Sequence, residues 1–280
     1  MITPKTTWAK KVRLQAIETL AFWTGRVNTR DLIERFGISR RIAQSDITEY
    51  LSLVPGNLSY SRSEKAYTTT SIFKPKFING QISEYIALES QACQEDPAEL
   101  ITQLTPHSFD LDPQVIQPVI NAIKNKKGAR IQYRSLNNPN GILRTIHPHM
   151  LVNTGFRWHV RAYCVERKEF RDFNLSRIGK SELQPEPRPC VANPDQDSDW
   201  QTVVKLHIGP NPHLSTEEKA LLGYEFSMRK NKLIVSVRAA LVPYTLHIYQ
   251  IDPYVDFNVH PKRNRLVLLN KDKLEQHLWT

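Results

Sequence analysis

The sequence predicts an α+β protein of several domains. Two observations carry this: helical and strand periodicities dominate different stretches, and charge is laid out in blocks. At 280 residues the chain is too long for a single small core. Apolar residues recur at helical spacing at the start, alternate with period two from about residue 129, and do both in the tail. The net charge of +10 divides into +7 over residues 1–80, −7 over 81–112, +9 over 113–188 and +1 over 189–280. The expected division is a basic domain at 1–80, an acidic helical connector at 81–112, a second basic domain at 113–185, and a linker with a C-terminal α+β domain at 186–280.

Composition narrows the classes. No apolar run approaches the roughly 20 residues that span a bilayer, and MITPKTTWAKKVRL lacks the apolar core of a signal peptide. Cys93, Cys164 and Cys190 are too few and too scattered for a disulfide framework or a paired-cysteine metal site. A reduced, cytoplasmic protein is expected. The basic balance favours polyanionic partners.

Residues 7–24 read as an amphipathic helix with Val12, Ile17, Leu20, Ala21 and Trp23 on one side, ended by Gly25. Asn28 or Thr29 can cap a short helix, TRDLIERF, that turns Leu32, Ile33 and Phe36 inward. Gly37 permits a tight turn. Ser39 caps a third helix, RRIAQSDITEYLSL, with Ile42, Ile47 and Leu51 as its apolar side. LSYSR and KAYTTT, separated by Ser63-Glu64, read as a β-hairpin. A helix follows at 81–92, then a mixed acidic stretch around 97–113.

Residues 114–126 form a further helical pattern, with Pro118 placed in the first turn or at a kink. The strands ARIQYRS, ILRTIHPHML, RWHVRAYCV and FRDFNLS come next, joined by NNPNG, NTGF and ERKE. Residues 184–199, rich in Pro and Asp, read as the linker. The tail reads strand TVVKLHI, helix STEEKALLG, strand KLIVSVRA, helix LVPYTLHIYQ, strand RLVLLN and a terminal helix.

Three helices with a Gly-containing turn before the third, then a hairpin, make a winged helix-turn-helix pattern. In that motif the third helix enters the major groove with its N-terminal residues on base edges. With Ile42 and Ile47 turned inward, Arg40, Arg41, Gln44, Ser45 and Thr48 remain for the groove. Arg suits guanine and Gln suits adenine, each through two hydrogen bonds. The hairpin would be the wing, its tip offering Arg62, Ser63 and Lys65 to phosphate or the minor groove, with Tyr67 at its root. The bland alternative is a solvated charged helix in a small bundle.

A second constellation lies in RWHVRAYCV. Trp158, Val160, Ala162 and Cys164 point one way; Arg157, His159, Arg161 and Tyr163 point the other. Neighbouring strands add Tyr133, Ser135, Arg144, His147, His149 and Arg171, and Arg177 follows. Forked guanidiniums, imidazole and hydroxyls together suit a phosphate- or carboxylate-bearing ligand. A merely solvated or bracing basic face is the alternative.

Tyr133-x-Ser135, Arg144, Pro148, Trp158-His159-Val160 with Ala162-Tyr163, and Arg171-x-Phe173-x-Leu175-x-Arg177-Ile178 resemble the WYL-domain family over about residues 115–180. Of the Trp-Tyr-Leu triplet that names the family, Trp158 is kept, while His159 and Val160 replace the other two. The resemblance implies an Sm-like small β-barrel behind a winged helix-turn-helix, often followed by an extension domain. It implies a homodimer on a palindromic operator, and a ligand that is a nucleotide or single-stranded nucleic acid. The arrangement also resembles repressors of phage-defence operons such as BREX and CBASS. Carried over by position, the ligand residues are Tyr133, Ser135, Arg144, His159, Arg161, Arg171 and Arg177. His159 in the Tyr place could make binding pH-sensitive or simply fill the space.

Other chemistries find no pattern. His147 and His149 with Cys164 lack a fourth ligand for zinc, and no phosphate-cradling, dinucleotide or nucleophile-elbow motif is present. No catalytic residue, metal or cofactor is expected, and Trp200 and Trp279 are assigned to core or interface. Two readings compete with a ligand-gated repressor. One is a binder of RNA or single-stranded DNA that stacks bases on tyrosines. The other, ranked last, is an enzyme acting on nucleic acid, which would need a carboxylate cluster that the second basic module does not offer.

Overall fold

The computed structural model describes residues 7–92 and 111–278. The chain divides into two compact units between residues 105 and 106. The expected connector falls largely outside the described residues, as do Cys93 and Trp279.

The first unit is built from α1 (Trp8–Thr24), the two-residue strand β1 (Arg26–Val27), α2 (Thr29–Phe36), α3 (Arg40–Leu53), the strands β2 (Leu58–Ser61) and β3 (Ala66–Thr69), and α4 (Ile82–Ala92). Local sequence sets each boundary. The Asn28 side chain accepts from the amides of Arg30 and Asp31, and Asp31 accepts from the Asn28 amide, closing a capping box at α2. Gly37, at φ +60°, ends that helix, and Ser39 caps α3. The three strands pair antiparallel in the order β1-β3-β2. Leu14, Ile17, Leu20, Val27, Leu32, Ala43, Ile47 and Tyr50 form the core beneath them.

Two buried acids tie this core together. Glu18 accepts the amide protons of Lys76, Phe77 and Ile78 and the Tyr50 hydroxyl, clamping the segment after the hairpin onto α1. Asp46 takes a two-pronged hydrogen bond from Arg13, fixing α3 against α1. The expected apolar side of α3 is therefore corrected: Ala43, Asp46, Ile47 and Tyr50 are buried, whereas Ile42 is 42% exposed.

The second unit begins with α5 (Pro113–Lys124), which packs its Ile116, Val119 and Ala122 on a five-stranded antiparallel sheet. Pro118 sits inside this helix, beyond the first turn. The sheet comprises β4 (Lys127–Ser135), β5 (Asn138–Asn153), β6 (Trp158–Cys164), β7 (Glu169–Asn174) and β8 (Ile178–Pro187), in the order β7-β6-β5-β4-β8. β7 and β8 are its two edges, so the ladder is open where the family resemblance implies a closed small barrel. β8 also runs through Pro187, into the stretch expected to be linker, because residues from Lys127 to Tyr133 give it a pairing partner.

A single-turn helix α6 (Ser198–Gln201) leads to β9 (Val203–Pro210), α7 (Thr216–Glu225), β10 (Leu233–Arg238), α8 (Val242–Ile248) and β11 (Leu266–Leu268). The sheet order is β10-β9-β11, and Leu206, Ile208, Leu222, Val242 and Leu246 lie in the core. The expected terminal helix is replaced by two short 3-10 turns, Lys271–Lys273 and Glu275–His277. No described helix is long and apolar enough to cross a membrane.

Candidate nucleic-acid interface and ligand cavity

Burial of residues 43, 46, 47 and 50 on one side of α3 dictates what faces out. Arg40, Arg41, Gln44, Ser45 and Thr48 are all exposed. Arg41, Gln44, Ser45 and Thr48 continue with Glu49 and Ser52 into one shallow open surface. Within it the Thr48 hydroxyl donates to the Gln44 carbonyl, and the Gln44 amide donates to the Tyr67 hydroxyl at 3.2 Å. Arg62, Ser63 and Lys65 stand exposed at the turn joining β2 to β3, where Lys65 adopts φ +50° and the Ser61 and Ser63 hydroxyls lie 3.0 Å apart.

The second unit holds a cavity of about 560 Å³ between the β6–β7 face and α8. Val160, Ala162 and Cys164 turn to the core, which leaves Arg157, His159 and Arg161 on the cavity side. Of the ligand residues implied by resemblance, Tyr133, His159, Arg161, Arg171 and Arg177 line it together. Ser135 and Arg144 are not among its lining residues. The Ser135 hydroxyl accepts from the Asn138 amide at the β4–β5 turn, and Arg144 lies on β5 opposite Ile131.

The cavity cations differ in commitment. Arg161 is buried and bound by both prongs to Asp197, at 2.8 and 2.9 Å, with Asp172 at 3.5 Å. Burial would raise the Asp197 carboxyl, but hydrogen bonds from Arg161 and His149 outweigh it and hold the group down at about 2. Burial raises the Asp172 carboxyl, with Arg161 opposing, and Asp172 accepts from the Tyr244 hydroxyl at 3.2 Å. Arg171 lies 3.3 Å from Glu169 at the half-exposed rim. The Arg157 guanidinium stacks 4.9 Å above the Phe156 ring, and its Nε, like His159 Nδ1, is buried with no hydrogen-bond partner among the described residues. Burial, then the charges of Arg157 and Arg177, push the His159 imidazole down to about 4, so it is neutral at pH 7. His159 also meets the Tyr244 ring, with centroids 5.0 Å apart.

Several cavity groups were outside the sequence-derived set. Phe156 and Asn174 lie near assigned residues in the chain, whereas Tyr244 and His247 come from α8; Arg157 was placed on the basic face but not in the ligand set. The α8 segment carries only the pattern of a packed helix. Asp197 sits in the stretch expected to be linker, and the two-pronged arginine pairing that gives it meaning spans 36 residues. Among the described residues no group of three His, Cys, Asp or Glu side chains is placed to hold a metal ion.

This geometry agrees with comparisons against known proteins. Residues 9–91 match the BrxR transcriptional regulator winged helix-turn-helix domain, 114–183 the WYL domain, and 203–274 the BrxR transcriptional regulator C-terminal dimerization domain. The class is thus a winged-helix WYL regulator with a dimerization domain. The DNA-binding transcriptional repressor CapW of Escherichia coli (strain KTE188) is 30% identical over 279 residues, covering 95% of this chain and 91% of that protein. CapW of Pseudomonas aeruginosa is 31% identical (96% and 91% covered), and CapW of Stenotrophomonas maltophilia is 26% identical (97% and 93% covered). The chain belongs to the CapW family of DNA-binding transcriptional repressors, a family of regulators and not of enzymes.

Proposed function

We propose that this protein is a homodimeric repressor that binds a palindromic duplex operator, in the cytoplasm, at a phage-defence operon, and that an anionic ligand in the WYL cavity sets its grip on DNA. The domains would divide the work as 1–80 for DNA, 81–112 as connector, 113–185 for the ligand and 186–280 for the dimer. The observation that carries the DNA reading is the exposure of Arg40, Arg41, Gln44, Ser45 and Thr48 along one edge of α3, with Arg62, Ser63 and Lys65 at the wing turn.

The ligand reading rests on the cavity's unequal cations. Arg161 is already neutralised by two carboxylates, so an incoming phosphate would find Arg157, Arg177 and His159, with Tyr133, Phe156 and Tyr244 as surfaces for a base. A nucleotide or single-stranded nucleic acid has both parts.

Gel-shift titration against the duplex selected by the wild-type protein tests the DNA reading. Arg40→Ala with Arg41→Ala should cost about 1–3 kcal/mol for each base-edge pairing removed, and the wild type should weaken steeply with salt. Operator binding by the double variant equal to wild type would remove α3 from recognition. A wild-type preference for single strands over any duplex would favour the RNA or single-stranded-DNA reading instead.

A further inference from the structure

We infer that Tyr67, a residue of the wing sheet, is a positioning residue for base reading by Gln44. The inference rests on the proposed placement of α3 in the major groove. Gln44 is exposed on the edge that carries Arg41, Ser45 and Thr48. A free glutamine amide at such a place turns about its last torsion and presents either edge. It then serves adenine with its N–H and oxygen as a matched pair, or accepts a hydrogen bond from cytosine N4–H with the oxygen alone. Here one amide N–H is already donated to the Tyr67 hydroxyl at 3.2 Å. What remains is one N–H and the carbonyl oxygen, the pair that adenine N7 and N6–H require.

Tyr67 is itself held. It lies on β3, the middle strand of the three, opposite Val27 of β1 and Tyr60 of β2. Its ring meets Tyr60 edge-on, with centroids 5.2 Å apart and an interplanar angle of 65°, and packs against the domain core. The hydroxyl is therefore a fixed post at the wing root, 23 residues from the glutamine it restrains. The wing sheet thereby sets selectivity at a base that it does not touch. In the groove the expected preference is for adenine at the position read by Gln44, once in each half-site.

The experiment uses the full-length protein and a randomised duplex pool. The pool is selected and sequenced with wild type, Gln44→Ala, Tyr67→Phe and the double variant. Gel shifts then use the selected duplex and its three single-base variants at the position where Gln44→Ala alters preference. Gln44→Ala should erase one preference per half-site. Tyr67→Phe should lower the same preference by about threefold or more, with other positions unchanged, and should add nothing in the Gln44→Ala background.

Uniform weakening of all four duplexes by Tyr67→Phe would mean a structural role only, and would overturn the inference. So would an unchanged profile, or an added loss in the double variant. The cycle keeps the test meaningful if Tyr67→Phe lowers the melting temperature, because general destabilisation acts on all four duplexes alike. Should Gln44→Ala leave every preference intact, base reading by Gln44 fails, and positioning by Tyr67 falls with it. An effect of Gln44→Ala without one of Tyr67→Phe overturns only the positioning.

Discussion

His159 is a neutral imidazole kept among cations. Its surroundings, burial first and then Arg157 and Arg177, hold it at about 4 against an ordinary 6.5. Below about pH 6.5 the unfolded chain takes up a proton that the folded chain refuses. The contribution of this site to stability is therefore complete above that pH and declines as pH falls toward 4. A His159→Gln variant should lose less stability than wild type between pH 6.5 and 4, as read by thermal melts at a series of pH values. Parallel acid profiles for the two proteins would show that His159 takes up its proton alike in the folded and unfolded chains, so that folding does not depress it. The residue's place on the cavity face was legible in the alternation of RWHVRAYCV. Its suppressed charge was not, because that depends first on burial in the folded unit and then on Arg157 and Arg177, the latter beyond the next strand.

At the scale of elements, polar signals with local causes were legible and long-range ones were not. The capping box at Asn28 and Asp31, the Gly37 turn and the Ser39 cap are written within a few residues of where they act. They placed α2 and α3 correctly. The inward stripe of α3 excludes Ile42 and includes Asp46, a charge that becomes buriable only through Arg13 and so carries no apolar signal in the sequence. The Pro- and Asp-rich stretch at 184–199 likewise read as a linker, yet β8 pairs through its start. Near its end, Asp197 is pinned between Arg161 and His149 with 1% of its side chain exposed. Asp197→Ala should destabilise the second unit by about 3 kcal/mol, the lower end of the usual cost of breaking a buried ion pair, because Asp172 still faces Arg161. Urea denaturation would measure it, and a drop below about 1 kcal/mol, the range of exposed pairs, would show that the pairing is ordinary.

For the whole molecule, the wall of the cavity is drawn from two matched domains. Tyr244 and His247 stand on α8, inside the stretch that matches a dimerization domain, while the opposite side belongs to the WYL match. Occupancy and assembly are then bound by reciprocity. If a guest prefers the paired or the single chain, the association constant at saturation must move by the product of the affinity ratios at the two chains' cavities. Sedimentation with and without a short single-stranded oligonucleotide would read this factor directly. Equal association constants at saturating oligonucleotide would mean that the guest's energy goes elsewhere. A shifted constant would make cell concentration of the protein itself a second input, so that scarcity and signal act on one equilibrium.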